Sequence, residues 1–329
     1  MSIDPGAIRT IAVIGTGTIG ASWAALFLGH GLDVIASDPA AGAEARLRAF
    51  LVRVLPDARP EPAPAEGNLT FVATPEQAAA GADLVQENAP EREDLKSDLI
   101  ARLEAAAPPH ALIASSTTAF PQSTVAAKAK NPARIIVAHP FNPPHLVPLV
   151  ELVGVAPEAP AVQRAFAFYK SLGREPVILR KEAVGHLANR LQAAVMREAL
   201  YCLEQGIADV EDIDRAVRYG PGLRWAVMGP FQTYHLAGGA GGIRHYFAHL
   251  GRSQARRWSS LGTPMLNEEL EGRVVAGVER MVGDKSIAKL EAERDHALTG
   301  VLKAVRCGPT CKCFGPRTAT SPASGTRDP

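Results

Sequence analysis

A histidine and a glutamate that could exchange a proton lie twelve positions apart, at the two ends of HPFNPPHLVPLVE (residues 139–151). With an ordinary pKa of about 6.5, His139 could take a proton from an alcohol near neutral pH. A carboxylate such as Glu151 would fix the tautomer of the ring and stabilise the imidazolium that forms. Four prolines, at positions 140, 143, 144 and 148, stiffen the connection and prevent it from being helical throughout. The stretch therefore predicts a general-base pair on a rigid connection.

A glycine-rich loop follows the first apolar run of the chain. The segment VIGTGTIGASWA (13–24) carries a G-x-G-x-x-G pattern and the expected cofactor contacts Gly15, Gly17, Thr18, Ile19 and Gly20. Such glycines allow a tight turn and let a pyrophosphate approach the N–H groups of a helix N-terminus. Asp38 ends the next apolar run, where an acid accepts from a ribose 2′-hydroxyl and repels a 2′-phosphate. No arginine follows it directly, so the pattern predicts NAD rather than NADP as the cofactor.

Both features belong to a half of the chain in which short apolar runs alternate with helical stretches. Six runs have the composition of strands: residues 9–15, 32–38, 69–74, 82–88, 111–116 and 134–140. Apolar strands separated by helices predict a mainly parallel sheet covered on both faces, with sites at the carboxyl ends of the strands. Thr74, a proline and Gln77 predict a capped helix start, and the Pro/Ala-rich residues 55–67 predict a loop. His139 lies at a strand end and Glu151 on the next apolar run.

The character of the chain changes near residue 185. Apolar residues then recur at helical spacing up to Gly206, and further helical stretches continue to about residue 305. We therefore expect a Rossmann-type, doubly wound α/β domain over residues 1–184 and an all-α substrate and dimerisation domain over residues 185–305. Residues 306–329, rich in Pro, Gly, Ser and Thr, predict a disordered tail. We expect no metal site, because the three cysteines near the tail lack a fixed fourth ligand.

Composition narrows the class of protein. The 329 residues include 35 Lys+Arg and 34 Asp+Glu, so a formal charge of +1 gives no global attraction for nucleic acid or an anionic membrane. No apolar run approaches the roughly 20 residues that span a bilayer, and the N-terminus MSIDPGAIRT lacks the pattern of a signal peptide. These features predict a cytoplasmic enzyme with a small-molecule substrate and no nucleic-acid or membrane partner.

Five motifs in order resemble the 3-hydroxyacyl-CoA dehydrogenase family over about residues 8–305: GTGTIG (15–20), SSTTAF (115–120), HPFNP (139–143), LVELV (149–153) and GHLANRL (185–191). The resemblance implies oxidation of a 3-hydroxyl by NAD, with a His139–Glu151 dyad. It also implies that Asn189 and Thr118 contact the substrate. At position 118 the family usually carries serine, so threonine keeps the hydroxyl and adds a methyl group. By the same resemblance, the cofactor side is lined by Glu91 and Lys96.

Two features favour a small polar substrate over an acyl-CoA. Acyl-CoA members of the family generally use lysines on a helical arm after the second strand, whereas the first lysine of this chain is Lys96. Four arginines could substitute, at positions 46, 48, 53 and 59. The segment GPGLRWAVMGPFQTYHLAGGAGG (220–242) resembles the branch acting on small 3-hydroxy acids, the carnitine and gulonate 3-dehydrogenases with lambda-crystallin, and most closely the carnitine enzymes.

In that branch Arg224 would grip the substrate carboxylate with its planar fork. A trimethylammonium group would need aromatic faces, for which Trp225 and Tyr234, with Trp23, are candidates. Three alternatives stay open: a true 3-hydroxyacyl-CoA dehydrogenase, a gulonate-type enzyme, and a non-catalytic NAD(H)-binding structural protein. An apolar helical domain of this kind commonly dimerises, and we expect a homodimer.

Overall fold

The computed structural model describes residues 8–307, with side chains up to residue 305. Its contacts divide the chain into two compact units, Met1–Arg197 and Glu198–Pro329. The domain boundary predicted from the sequence lies earlier, after residue 184. The tail predicted from residue 306 lies, from residue 308 onward, outside the described residues, and so do the thiols of Cys311 and Cys313.

An eight-stranded sheet forms the centre of the first unit. Its strands are β1 Thr10–Ile14, β2 Asp33–Ser37, β3 Leu69–Phe71, β4 Leu84–Glu87, β5 Leu112–Ser115, β6 Ile135–Pro140, β7 Leu149–Val153 and β8 Glu175–Ile178. The spatial order is β3-β2-β1-β4-β5-β6-β7-β8, and every neighbouring pair is parallel except β6 with β7. All six predicted strands are present, so the expected Rossmann-type sheet is confirmed.

Helices cover both faces of the sheet. The first unit contains α1 Thr18–Gly29, α2 Ala43–Ala58, α3 Pro75–Ala80, α4 Glu93–Ala106, α5 Gln122–Val125, α6 Pro160–Ser171 and the start of α7 Ala188–Glu204. Alternate residues of β1 divide between the faces: Ile11 and Val13 pack with α1, α2 and α6, whereas Ala12 and Ile14 pack with α3, α4 and α5. This alternation buries the central strands on both sides, as a doubly wound sheet requires, while the edge strands β3 and β8 keep exposed positions.

The antiparallel pair β6–β7 follows from the length of its connection. Only residues 141–148 join the two strands, whereas a parallel crossover needs a dozen or more residues. Two side chains anchor this loop. Ser22 of α1 accepts from the His145 N–H at 2.9 Å and pairs with its Nδ1 at 2.7 Å, and the buried Arg174 donates to the Pro144 carbonyl at 3.0 Å. The connection is therefore stiffened by tertiary contacts as well as by proline.

Of two local predictions from the sequence, one is confirmed and one was partly wrong. The capping box is confirmed, since Thr74 Oγ1 accepts from Gln77 N–H and Gln77 Oε1 accepts from Thr74 N–H, each at 3.2 Å. The loop prediction over residues 55–67 was wrong at its start, because α2 continues to Ala58 with Pro56 in its last turn. Apolar contacts of Val54 and Ala58 with the core outweigh the hydrogen bond that the proline removes there.

The second unit, as far as residue 307, is all-helical, which confirms the expected helical region after the sheet. After the end of α7 it contains α8 Val210–Tyr219, α9 Pro221–Trp225, α10 Pro230–Ala237, α11 Gly242–Trp258, α12 Glu268–Val282 and α13 Ile287–Cys307. Within residues 8–307, no helix combines the length and apolar content that crossing a bilayer requires.

Candidate active site

The predicted acid–base pair is formed between neighbouring strands. His139 on β6 and Glu151 on β7 are directly opposed in the antiparallel register. Their side chains are 2% and 1% exposed, and His139 Nδ1 lies 2.8 Å from Glu151 Oε2. Since a carboxylate can only accept, Nδ1 carries the proton of the neutral ring, which leaves the lone pair on Nε2. The ring is thus oriented with its basic nitrogen away from Glu151.

The second oxygen of Glu151 holds the start of α7. Glu151 Oε1 accepts from the N–H groups of Leu187 at 2.8 Å and Ala188 at 2.9 Å, where a helix N-terminus has unpaired donors. Burial alone would raise the pKa of Glu151, but the hydrogen bonds from His139 and these two N–H groups outweigh it and hold the pKa below its usual range. The carboxylate therefore stays ionised at neutral pH.

Asn189, in the first turn of α7, faces the other side of the ring. Its Nδ2 lies 3.4 Å from His139 Nε2. His186, which sequence reasoning did not single out, is 2% exposed, and its ring centroid lies 4.9 Å from that of His139. Its Nε2 donates to the Thr117 carbonyl at 2.9 Å. The only sequence signal for His186 was its position inside the motif GHLANRL.

Glu91 holds the turn that follows β5. Its Oε1 accepts from Thr117 Oγ1, from Thr118 N–H at 2.8 Å and from Ala119 N–H at 3.0 Å. Burial opposes ionisation of Glu91, yet these bonds and the nearby Lys96 keep its pKa below the usual range. Thr118 itself is an exposed residue, and its hydroxyl lies 3.4 Å from the same Glu91 oxygen.

Lys96 lies beneath this turn and is 1% exposed. Its Nζ is 2.9 Å from Glu87 Oε1 and 3.4 Å from Glu91 Oε2. Glu87, which is fully buried, also accepts from Ser115 Oγ at 2.5 Å. Sequence reasoning missed Glu87 and Ser115, although Glu87 is a lone charge at the end of an apolar run. Lys96 thus ties α4 to the ends of β4 and β5, and its contact with a cofactor stays a prediction.

The glycine loop has the geometry that a dinucleotide needs. Gly15 has φ +80°, a left-handed conformation that favours glycine, and a Cβ on Gly20 would stand 1.8 Å from the Gly15 carbonyl oxygen. A Cβ on Gly17 would instead meet no protein atom within 4 Å. Gly17 precedes α1, which begins at Thr18, so open space adjoins the free N–H groups of the helix. These residues fit a bound pyrophosphate.

Asp38 follows β2 directly and bonds to the same loop. One of its oxygens, Oδ2, accepts from Thr16 N–H at 2.7 Å and from Thr16 Oγ1 at 3.1 Å, while Oδ1 accepts from Ala40 N–H at 2.8 Å. These bonds fix the carboxylate at the carboxyl end of β2 without filling all of its acceptor positions.

The remaining candidates for substrate binding differ in burial and in the unit to which they belong. Trp23 is fully buried, stacks on Phe27 at 5.4 Å and donates to Ser116 Oγ, so it is a core residue and offers no face to a substrate. Arg224 and Trp225 end α9 in the second unit, where Trp225 is 45% exposed. Tyr234 is 37% exposed and packs against Tyr246, with ring centroids 4.9 Å apart. Among the described residues, no group of three or more His, Cys, Asp or Glu could hold a metal ion.

Family models account for most of the chain. The NAD binding domain of 3-hydroxyacyl-CoA dehydrogenase matches residues 10–183, and the C-terminal domain of the same family matches residues 185–277. The chain belongs to the 3-hydroxyacyl-CoA dehydrogenase family. Membership in this family confirms the predicted cofactor, NAD, and the class of NAD-dependent oxidoreductase.

Relatives within the family share about half of the residues. An L-carnitine dehydrogenase of Pseudomonas aeruginosa is 48% identical, covering 91% of this chain and 94% of that protein. Another from Nocardiopsis dassonvillei is 47% identical, covering 92% and 93%. Among solved structures, an NAD+-dependent 5-formyl-3-hydroxy-2-methylpyridine 4-carboxylic acid 5-dehydrogenase is 28% identical with a TM-score of 0.76, covering 91% of this chain and 99% of that one.

Substitution of two glycines in the NAD binding domain, Gly17 and Gly20, distinguishes an effect on cofactor binding from an effect on folding. In Gly17→Ala the methyl group meets no protein atom, so Tm should stay within about 2 °C, while the Kd for NADH should rise about tenfold or more because the methyl occupies the phosphate approach. Gly20→Ala places Cβ 1.8 Å from the Gly15 oxygen and should lower both Tm and NADH binding. Thermal melts and NADH fluorescence titrations measure the two effects. An unchanged Kd in Gly17→Ala would contradict the assignment of the loop.

Replacement of the Glu151 carboxylate should lower the stability of the protein by an amount that depends on pH. The pKa of Glu151 is lowered on folding, so its ionisation stabilises the family's fold above the unfolded value near 4.5, and this stabilisation is lost as the pH falls below it. Glu151→Gln should therefore lower Tm by about 4 °C or more at pH 7, with a gap that narrows from pH 4.5 to pH 3. The exposed Glu158→Gln serves as control. A gap independent of pH would show that the charge does not matter.

Proposed function

We propose that this protein is an NAD-dependent dehydrogenase that oxidises the 3-hydroxyl group of L-carnitine to the 3-oxo acid. The observation that carries the chemistry is the buried His139–Glu151 contact of 2.8 Å, which leaves His139 Nε2 as the basic nitrogen. The substrate is inferred from the relatives named L-carnitine dehydrogenase, which are 48% and 47% identical over more than nine-tenths of this chain.

In the proposed reaction His139 Nε2 accepts the hydroxyl proton as the C3–H bond breaks and the C–O bond becomes a carbonyl. Bound NAD supplies the acceptor for the hydride. Glu151 stays ionised and stabilises the imidazolium through Nδ1–H. Because the proton arrives at a ring that is hydrogen-bonded to ionised Glu151, the positive charge forms where a fixed negative charge already stands.

Two residues would hold the hydroxyl group at His139. Asn189 Nδ2 lies 3.4 Å from His139 Nε2, so a hydroxyl oxygen near Nε2 could also accept from the amide. Thr118 is exposed on the turn held by Glu91, and its hydroxyl, 3.4 Å from Glu91 Oε1, would rotate to donate to the substrate oxygen. Both would bond the oxygen more strongly as it loses its proton, which favours the transition state over the bound substrate.

From the sequence resemblance, the two charged groups of the substrate would be recognised by Arg224 and by aromatic side chains. Arg224 would pair with the carboxylate through its planar guanidinium, while Trp225 and Tyr234 would offer aromatic faces to the trimethylammonium group. An ammonium without N–H groups cannot donate hydrogen bonds, so its recognition depends on such faces. A gulonate-type substrate would use the carboxylate contact alone.

The acyl-CoA alternative rests on the family to which the chain belongs. Two arginines of α2 that could bind the nucleotide phosphates already have partners: Arg48 pairs with Glu44 at 2.8 Å, and Arg46 donates to the Ala41 carbonyl at 2.7 Å. These contacts are exposed and therefore weak, but they favour a substrate without phosphates.

Turnover with a panel of substrates tests the proposal. The purified protein should reduce NAD to NADH when L-carnitine is added, and far more slowly with L-gulonate or 3-hydroxybutyryl-CoA. The formation of NADH is followed by absorbance. Turnover of the CoA ester alone would reject the small-acid proposal, and NADH binding without turnover of any substrate would indicate a structural protein. His139→Ala should lose at least about a thousandfold in kcat yet bind NADH with unchanged Kd. Unchanged turnover in this variant would remove His139 from the mechanism.

We also propose that the protein is a homodimer whose interface lies on the helical region 185–305. In the described part of the second unit, only Leu203, Tyr246 and Leu270 are large apolar side chains that are buried, whereas twenty are exposed, among them Phe231 at 84%. A helical unit with so little apolar burial of its own gains stability by covering that surface with a second copy.

Sedimentation velocity tests the dimer. The wild-type protein should sediment at twice the chain mass at micromolar concentration, and Phe231→Asp should shift it toward the monomer because a charge would enter the apolar surface. Val52→Asp, at a side chain that is 81% exposed on α2 of the first unit, is the matched control and should leave the dimer intact. A monomeric wild type would refute the assignment.

A further inference from the structure

His186 is a buried titratable residue to which the mechanism above gives no part. It precedes α7, is 2% exposed and has φ +50°, the one positive φ outside glycine in residues 8–307. Left-handed backbone costs energy for a residue with a Cβ, although histidine is among the residues that tolerate it better. Such a conformation persists where the surroundings determine it, and here two sets of contacts do so.

The backbone after His186 is held by Glu151. The left-handed turn at His186 directs the next two N–H groups, of Leu187 and Ala188, to Glu151 Oε1 at 2.8 and 2.9 Å. The same turn sets the first residues of α7 and so the place of Asn189 at His139 Nε2. The main chain at His186 is therefore fixed to the acid–base pair.

The side chain of His186 is held by the turn after β5. Its Nε2 donates to the Thr117 carbonyl at 2.9 Å, and the next residue along the chain is Thr118. A carbonyl only accepts, so Nε2 carries a hydrogen in this contact. The Thr117–Ala119 turn is otherwise held by Glu91, which belongs to the segment before α4. This contact is thus a direct link between that turn and the strand pair β6–β7 with its helix.

The ring of His186 is uncharged in this setting. Burial lowers its pKa, and the titratable groups that face it are His139 on β6, Glu151 on β7 and Glu91 before α4. An uncharged ring matters because His139 gains a positive charge in the reaction, and a second imidazolium 4.9 Å away would oppose that gain.

We propose that His186 is a positioning residue that fixes the Thr118 hydroxyl relative to the His139–Glu151 pair through its hydrogen bond to the Thr117 carbonyl. The proposal rests on the proposed function, because it assigns Thr118 to the substrate oxygen. It concerns the geometry of the site and not its chemistry, since His186 itself transfers no proton.

A double-mutant cycle tests the link in the full-length protein with NAD and L-carnitine. His186→Phe keeps an aromatic ring but removes the donor, and should lower kcat about tenfold or more while the Kd for NADH stays within about twofold. In a Thr118→Ala background the same replacement should lower kcat by no more than about twofold, because the hydroxyl that it positions is gone. An equal loss in both backgrounds would show a merely structural role and overturn the proposal.

Two further variants separate the hydrogen bond from other effects. Gln122 is a buried side chain that also donates to main-chain carbonyls, those of Pro132 and Ile135. Gln122→Met should lower Tm with kcat unchanged, as a matched loss of buried donors away from the pair. His186→Asn keeps a residue that tolerates left-handed backbone but has a shorter side chain, and should be as slow as His186→Phe. Wild-type kcat in His186→Asn would assign the effect to the backbone and overturn the proposal.

Hydrogen exchange of the NADH complex tests the same link without a substrate. In His186→Phe the amides of residues 117–120 should exchange about tenfold faster, with little change in β1–β5, whereas Gln122→Met should leave residues 117–120 protected. Unchanged protection of this turn in His186→Phe would overturn the proposal. If the wild type does not oxidise L-carnitine, the proposed function fails, and the exchange result alone decides whether His186 holds the turn.

Discussion

The carboxylate of Glu151 is the interaction on which the arrangement of the site depends. One oxygen bonds to His139 Nδ1 and the other to two N–H groups at the start of α7. A single buried charge thereby sets the tautomer of the histidine and the position of the helix that carries Asn189. Each role supports the other, because the hydrogen bonds that satisfy the charge are the ones that keep its pKa low and its ionised form stable in the core.

A second buried charge organises the neighbouring strands in the same way. Lys96 and Glu87 pair beneath the turn after β5, and Glu91 extends this pair to the turn that carries Thr118. Buried ion pairs contribute little to net stability, since desolvation offsets their attraction. Their value here is geometric: removing either partner would leave an unpaired buried charge, so the ends of β4 and β5 are held in one arrangement.

Much of this could be predicted from the sequence, for reasons that differ between residues. The central strands could be recognised in the sequence because they are buried on both faces and are therefore mainly apolar. The pairing of His139 with Glu151 is implied by the family resemblance, and a strand pair joined by the proline-rich connection is compatible with it. The sequence could not reveal β8, whose Glu175–Ile178 includes exposed positions and a proline, because its strand character comes from pairing with β7. Nor could it reveal the contacts of His186, since these are decided by tertiary packing.

The antiparallel strand β7 also makes the catalytic pairing dependent on the apolar core. Val150 and Leu152 pack on one face of the sheet, and Glu151 between them points to the other, where it meets His139. A slip of β7 by one residue would turn every side chain to the opposite face, which would remove the two apolar residues from their core cluster, place Glu151 in it and separate the pair. Burial of each such side chain contributes about 1.5–3 kcal/mol to the free energy of unfolding, so a chain with β7 out of register is less stable than the native one. The apolar packing of β7 thus fixes the alignment of the catalytic pair, because a chain in which these groups are misaligned is also a less stable chain.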